Sequence, residues 1–266
     1  MKVKKRFFLC SIMLCGLMSC QQGNACHCGE NADGKVVADS VAVTNQSVEP
    51  AALSQKAHSY IERKDTLGLT VLYPEYRRVD LVCDTMPEKS DTSVILVAEA
   101  AYTGQRLESF NHMNVAGDHV SGGKRYKGYS CSRNTGAFVW YNAQWKFLYK
   151  SYTHELDSAA AYGGAGFGQE LIIHEGENKE TVRPNSSKNQ FRALCENRGR
   201  LCVIESDSVL TFGDFRKKML QYGVREAIYL DMGGGWNHAW YRDADSIKEM
   251  HPKTHNYCTN WITFYK

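Results

Sequence analysis

No apolar run in the 266-residue chain reaches the roughly 20 residues that a membrane-spanning helix requires. The best candidate, Phe7 to Met18, is too short and follows a basic start, which excludes a polytopic membrane protein. A surplus of charge is missing as well. Against 29 Asp and Glu stand 32 Lys and Arg, four of which (Lys2, Lys4, Lys5 and Arg6) sit in the first six residues, leaving 28 for the rest of the chain. That balance provides no basic field for nucleic acid. The sequence has no internal repeat. Gly163, Gly164, Gly166 and Gly168 lack both the spacing and the following long helix of a dinucleotide fingerprint. What is present, 43% hydrophobic and 23% charged residues, is the composition of a folded chain large enough for one domain or two small ones.

The first residues read as a leader. Lys2 to Arg6 supply a positive start, Phe7 to Met18 an apolar stretch, and Leu17, Met18, Ser19 and Cys20 the end of a lipoprotein signal. Cys20 is therefore the expected lipidation site, with residues 1–19 a signal peptide and the mature protein anchored to a bacterial membrane outside the cytoplasm, periplasmic or at the cell surface. Residues 20–63 lack a sustained period of 3.6 or 2 and read as a flexible tether. Cys26, His27 and Cys28 crowd three ligand types into consecutive positions, without the Cys-x-x-Cys spacing that lets a loop wrap zinc. Residues 64–266 form the expected domain.

Strand signals dominate from Leu67 onward, in "LGLTVLY", "RVDLVCD" and "SVILVAEAAYTG". "GAFVWYNAQWKFLYK" reads as a hairpin turning at Asn142, Ala143 and Gln144 with an aromatic face in the core. A second hairpin turns at Asn197, Arg198 and Gly199. A two- or four-residue loop there sets Cys195 opposite Cys202, and a three-residue bulged loop separates them. Cys83, Cys131, Cys195, Cys202 and Cys258 lack a nucleophile context and read as buried or disulfide-linked. The clearest helix starts at an N-capping Thr211, turns Phe215, Met219 and Leu220 inward, and ends at Gly223. A shorter one spans Glu155 to Tyr162. One strand, helix, strand unit in a β-rich chain predicts an α+β domain built on a mixed sheet.

Two constellations carry chemistry. Asp231 ends an apolar strand and precedes Met232 and then Gly233, Gly234 and Gly235, whose backbone can approach an anionic ligand closely. "FNHMNVAGDHVSGGKRYKGYS" packs His112, Asn114, Asp118, His119, Lys124 and Arg125 between glycines, and places Asn114 and His119 as substrate-orienting or proton-transfer groups. His112 and His119 lack a helical metal-ligand spacing, so neither a metal nor another cofactor is expected, although a divalent ion is compatible with the composition.

The segment "RALCENRGRLCVIESDSVLTFGDFRKKMLQYGVREAIYLDMGGG" resembles the end of the phosphodiester glycosidase family. Arg192 matches the arginine that opens the family's strand, and Leu230, Asp231, Gly233 and Gly234 match its Leu-Asp-Gly-Gly-Gly-Ser motif. Glu99 in "VAEAAYTG" stands near the family's usual asparagine, Met232 replaces the first glycine, and Gly235 and Trp236 stand where small hydroxyl residues are usual. The resemblance implies a hydrolase acting on a sugar phosphodiester or related glycan linkage. Asp231 and Glu99 are then the catalytic pair, Arg192 clamps a phosphate or sugar carboxylate, and Gly233, Gly234, Gly235 and Trp236 contact substrate. The rival expectation is a catalytically inactive glycan-binding or envelope-scaffolding lipoprotein that uses Trp236, Asn237, His238, Trp240 and Tyr241.

Overall fold

A computed structural model describes residues 58–266 except 105–108, 235–236 and 253–257. The predicted signal peptide, Cys20, most of the predicted tether, Gly235 and Trp236 lie outside the described residues.

The apolar runs near the start become β1 (Ile61–Thr66), β2 (Leu69–Pro74), β3 (Arg78–Cys83) and β4 (Val94–Glu99). A short hairpin, β5 (His119–Ser121) with β6 (Lys124–Tyr126), is followed by the aromatic one, β7 (Gly136–Tyr141) with β8 (Gln144–Tyr149). Asn142 and Ala143 have φ of 51° and 56°, the positive pair that a tight two-residue hairpin turn needs. Next come α1 (Thr153–Ala161), β9 (Ala165–Gln169), β10 (Leu171–His174), β11 (Glu177–Asn178) and β12 (Lys188–Asn189). The second half holds β13 (Arg192–Asn197), β14 (Arg200–Ser206), β15 (Leu210–Thr211), α2 (Phe212–Tyr222), β16 (Val224–Leu230), β17 (Ala239–Asp243), β18 (Ser246–Met250) and β19 (Asn260–Tyr265).

These strands make four sheets. One of seven strands has the order β1-β2-β14-β13-β16-β10-β11. Two of five strands run β18-β17-β4-β19-β3 and β6-β5-β9-β7-β8, and β12 pairs with β15. Every strand pair within them is antiparallel. The expected α+β domain on a mixed sheet is therefore corrected: among the described residues the fold is nearly all-β, and the two α-helices are 9 and 11 residues long. The strand, helix, strand unit exists but does not bring parallel neighbours together. The two-residue turn at Arg198 and Gly199, both with positive φ, folds β14 back along β13, and α2 then delivers β16 to the other edge of β13. The same turn sets Cys195 opposite Cys202, and both remain free thiols.

Helix α2 has the expected ends. The Thr211 hydroxyl accepts from the Asp214 amide at 3.1 Å, and Gly223 closes the helix in the left-handed region at φ 94°. Its Phe212, Phe215 and Met219 are buried against Phe191, Ala193 and Tyr229 on one face of the seven-stranded sheet. The glycine-rich stretch before β10 is itself a strand, β9, which periodicity alone does not reveal. A Cβ at Gly166 would lie 2.9 Å from Leu156 of α1 and from the Phe138 carbonyl of β7, so helix and sheet meet only because that carbon is missing.

A central core is shared by the three large sheets and includes Leu96, Phe138, Phe147, Leu194, Leu230 and Ile262. At its rim the end of β16 meets the end of β4: the Asp231 amide donates to the Ala100 carbonyl at 3.0 Å. Two strand ends from different sheets are thereby joined.

Candidate carboxylate site

The strand register decides what lies at this junction. Glu99 is the last residue of β4 and is 1% exposed, on the face of Val97, Trp261 and Cys258. Its carboxyl accepts from the Thr103 hydroxyl at 3.0 Å and from the Cys258 thiol at 2.8 Å. Asp231, partly accessible, accepts from the Gly233 amide at 2.9 Å and from the backbone amide of Thr103. Thr103 thus touches both carboxyls, one through its side chain and one through its backbone. The pair expected from the sequence does come together.

Burial sets the protonation of both groups. Loss of hydration pushes the Glu99 carboxyl well above the usual carboxylate range, and the neighbouring Asp231 charge pushes it further. Asp231 is also raised by burial, but its two backbone donors and the nearby Arg183 and Arg133 guanidiniums pull the other way. Adjacent acids pushed upward to different extents share their protons unequally.

Tyr129 lies close enough to Asp231 to be affected by it; burial first, then Cys131 and Asp231, push its phenol up to about 12. Arg133 reaches over the Tyr102 ring, 5.5 Å from its centroid, and Arg183 over Tyr229 at 4.7 Å. Arg183 also donates to the Tyr102 hydroxyl at 3.2 Å, and that hydroxyl donates to the buried Glu170 at 3.1 Å. Two guanidiniums held by aromatic faces therefore stand near Asp231. Arg183 is half-buried and Arg133 exposed, so their charge is available to an anion. Neither sits in a recognisable motif. The only sequence signal for Thr103, Tyr102 and Cys258 would have been their closeness to Glu99, which follows from tertiary pairing for Cys258.

The other predicted residues occupy different places. Arg192 is fully buried and paired with Glu205, its Nε donating at 2.7 Å and an Nη lying 2.6 Å from the same oxygen. It also donates to the Asn237 carbonyl at 3.1 Å, while its second Nη is buried and has no partner among the described residues. Burial alone would raise Glu205, but Arg192 and His251 outweigh it and hold that carboxyl below its ordinary value. Arg192 thus already has a counter-ion. It lies near enough to Glu99 to oppose the upward push on that acid.

Gly233 is at φ 49°, and Asn237 pins the loop by donating to the Asp231 carbonyl at 3.2 Å. The Gly233 amide is spent on the Asp231 carboxylate, whereas Gly234 is exposed. Met232, in place of the family's first glycine, is fully buried in the core beneath α2 and anchors the loop from below. Asn114 accepts from the Asn111 amide at 2.9 Å and caps a 3₁₀ turn at His112–Asn114. Its carbonyl takes the Gly104 amide at 2.7 Å, so it supports the Thr103 loop from behind. His119 has both ring nitrogens engaged, with the Gly117 carbonyl at 3.1 Å and His112 at 2.9 Å. The structure does not bring it to the carboxylate pair. Trp240 and Tyr241 are 1% and 4% exposed and belong to the core, so they cannot serve as a sugar platform.

The fold and site together define a class: a nearly all-β domain of antiparallel sheets with an acidic pair at the meeting point of two strand ends. No family model and no curated protein matches the sequence. Solved structures do match the fold. The catalytic domain of zebrafish N-acetylglucosamine-1-phosphodiester α-N-acetylglucosaminidase, auto-inhibited by its pro-peptide, aligns over 79% of this chain and 83% of its own, with a TM-score of 0.51 at 14% identity. A hypothetical protein from Synechocystis aligns over 77% of this chain with a TM-score of 0.56 at 11% identity, and the chain spans 61% of that protein's length. At these identities the likeness is one of fold, a distant relationship to a phosphodiester glycosidase domain.

Proposed function

We propose that the protein is a lipid-anchored, extracytoplasmic hydrolase that cleaves a sugar 1-phosphodiester or a related glycan linkage at the anomeric carbon. The observation that supports this reading most is the meeting of Glu99 and Asp231 around Thr103, with different environments for the two acids. Two adjacent acids in unlike surroundings leave one ionised for the chemistry while the other keeps its proton. Asp231, the accessible member, is the carboxylate that meets the substrate, either activating water or attacking the anomeric carbon. Glu99, almost without exposure, keeps the proton and holds Asp231 in place through Thr103, acting as a positioning residue. The sugar carbon gains hydroxide from water, its bond to the phosphate oxygen breaks with the electron pair leaving on the phosphomonoester, and the water proton passes to Asp231 and from there to solvent or the released phosphate.

Arg183 and Arg133 are better placed than Arg192 to hold the anionic phosphate, because Arg192 is neutralised by Glu205. Gly234 lies at the exposed tip of the loop, where its backbone can approach the ligand. The test is release of free sugar from a panel of sugar 1-phosphodiesters by the folded protein, with Asp231→Asn alongside. Release by the wild type that falls by roughly 10²–10⁴-fold in the variant supports the assignment. Equal release by both removes Asp231 from the chemistry, and no release from any member by folded protein removes the proposed reaction.

A further inference from the structure

Away from the carboxylate pair, the fold gathers a second set of chemically capable side chains that the sequence separates widely. Cys83 ends β3, at the edge of one five-stranded sheet. His119 begins β5 in the other five-stranded sheet, and His112 opens the 3₁₀ turn between them. One ligand atom from each, the Cys83 sulfur and a nitrogen from each imidazole, lies within 4.8 Å of the other two.

The details suit a metal ion. The Nδ1 of His119 lies 3.1 Å from the Gly117 carbonyl, and a hydrogen bond donated there fixes the tautomer that leaves Nε2 as a lone pair aimed at the cluster. His112 presents Nδ1 at 2.9 Å from that Nε2. Tetrahedral zinc with bonds of about 2.0–2.1 Å to nitrogen separates two nitrogens by roughly 3.3 Å, so a shift of a few tenths of an ångström would exchange the hydrogen bond for two metal bonds. Tyr126 stacks on His112 with ring centroids 3.3 Å apart, and Phe110 meets its edge at 5.3 Å, so aromatic faces hold the ring. Ser121 bonds to the Cys83 thiol and flanks the cluster. His119 is fully buried, and Cys83 and His112 are half-buried, which leaves a path for an ion.

We propose that Cys83, His112 and His119 bind one Zn²⁺ ion, with a fourth position for water or the Ser121 hydroxyl. A thiolate and two imidazoles are the donors this borderline-soft ion takes. The ion clips the two five-stranded sheets together and fixes the segment from His112 to His119. Val115 within it pairs with Thr103, the residue that touches both carboxyls, so the clip steadies that loop as well.

The test is titration of the purified full chain with Zn²⁺ against a competing chelator, repeated with Co²⁺ to read the ligand set from its absorption. Cys83→Ser and His112→Gln are compared with a Cys26→Ser/Cys28→Ser variant, which removes the thiols of the other Cys and His cluster in the chain. Circular dichroism checks that each is folded. The expected result is one equivalent bound, a thiolate-to-cobalt charge-transfer band, and a rise in Tm with Zn²⁺. Each of these persists in the Cys26/Cys28 variant. In Cys83→Ser the band disappears, and affinity falls by more than the roughly 10–100-fold that loss of an outer partner costs. An unchanged band and affinity in Cys83→Ser, loss of binding only in the Cys26/Cys28 variant, or no binding by folded wild type would overturn the proposal.

Discussion

Glu99→Gln tests the electrostatics of the carboxylate site without requiring a substrate. Gln has the shape of the protonated acid: its carbonyl can take the Thr103 hydroxyl, and its amide can face the Cys258 sulfur now within 2.8 Å. In the wild type the folded carboxyl is held well above its value of 4.5 by burial and by Asp231. Over the pH range between the unfolded and folded values, the native state keeps a proton that the unfolded chain has released. Stability from this group is therefore greatest below the unfolded value and falls as pH rises, by about 1.4 kcal/mol per pH unit, until the folded value is reached. The amide does not titrate. Urea unfolding of wild type and variant from about pH 4.5 to 8 should show a stability difference that moves in favour of Gln at up to that slope and then levels off. Taking the difference cancels the titrations common to both proteins. Adding Asp231→Asn removes a nearby negative charge, so the levelling should come at lower pH. A difference that stays flat over the whole range would refute the reasoning, because Glu99 would then ionise alike in both states.

Three further outcomes are expected. Arg192→Ala should destabilise the protein by about 3–5 kcal/mol in urea melts, since it leaves Glu205 buried beside only His251. Arg183→Gln should instead leave Tm within a few degrees and raise KM roughly tenfold or more for a phosphodiester substrate, with a smaller change in kcat. Gly166→Ala should cost about 1–3 kcal/mol, because the new carbon would sit 2.9 Å from α1 and from the β7 backbone. Its destabilisation should exceed that of an alanine at exposed Gly176, where the space is open and only the positive φ of 79° opposes it.

Much of the local structure was legible. The apolar runs gave β2, β3 and β4, the Asn142–Ala143 and Arg198–Gly199 turns gave two hairpins, and Thr211 and Gly223 bounded α2, because each signal acts within a few residues. Asp231 stood out in the sequence for a related reason, as an acid at the end of an apolar strand, whereas Glu99 was singled out only through the family resemblance. Arg192 was legible as important, but its role was not. Whether a buried guanidinium faces a ligand or a carboxylate depends on which strand lies beside it, and β14 brings Glu205 there.

The sequence by itself determined the strand-rich character, the principal turns and the cap of α2, all of which follow from local conformational preference and from the order of apolar and polar residues. Tertiary structure alone decided the sheet order, which made the fold nearly all-β where a strand, helix, strand unit had promised a mixed sheet. It alone joined Glu99 to Asp231 through Thr103, set Arg183 and Arg133 beside them, and gathered Cys83 with His112 and His119. Contacts of that kind depend on which strand edges pair between segments far apart in the chain, and the free energy that selects those pairings comes from burying a shared core, which no short window of sequence contains.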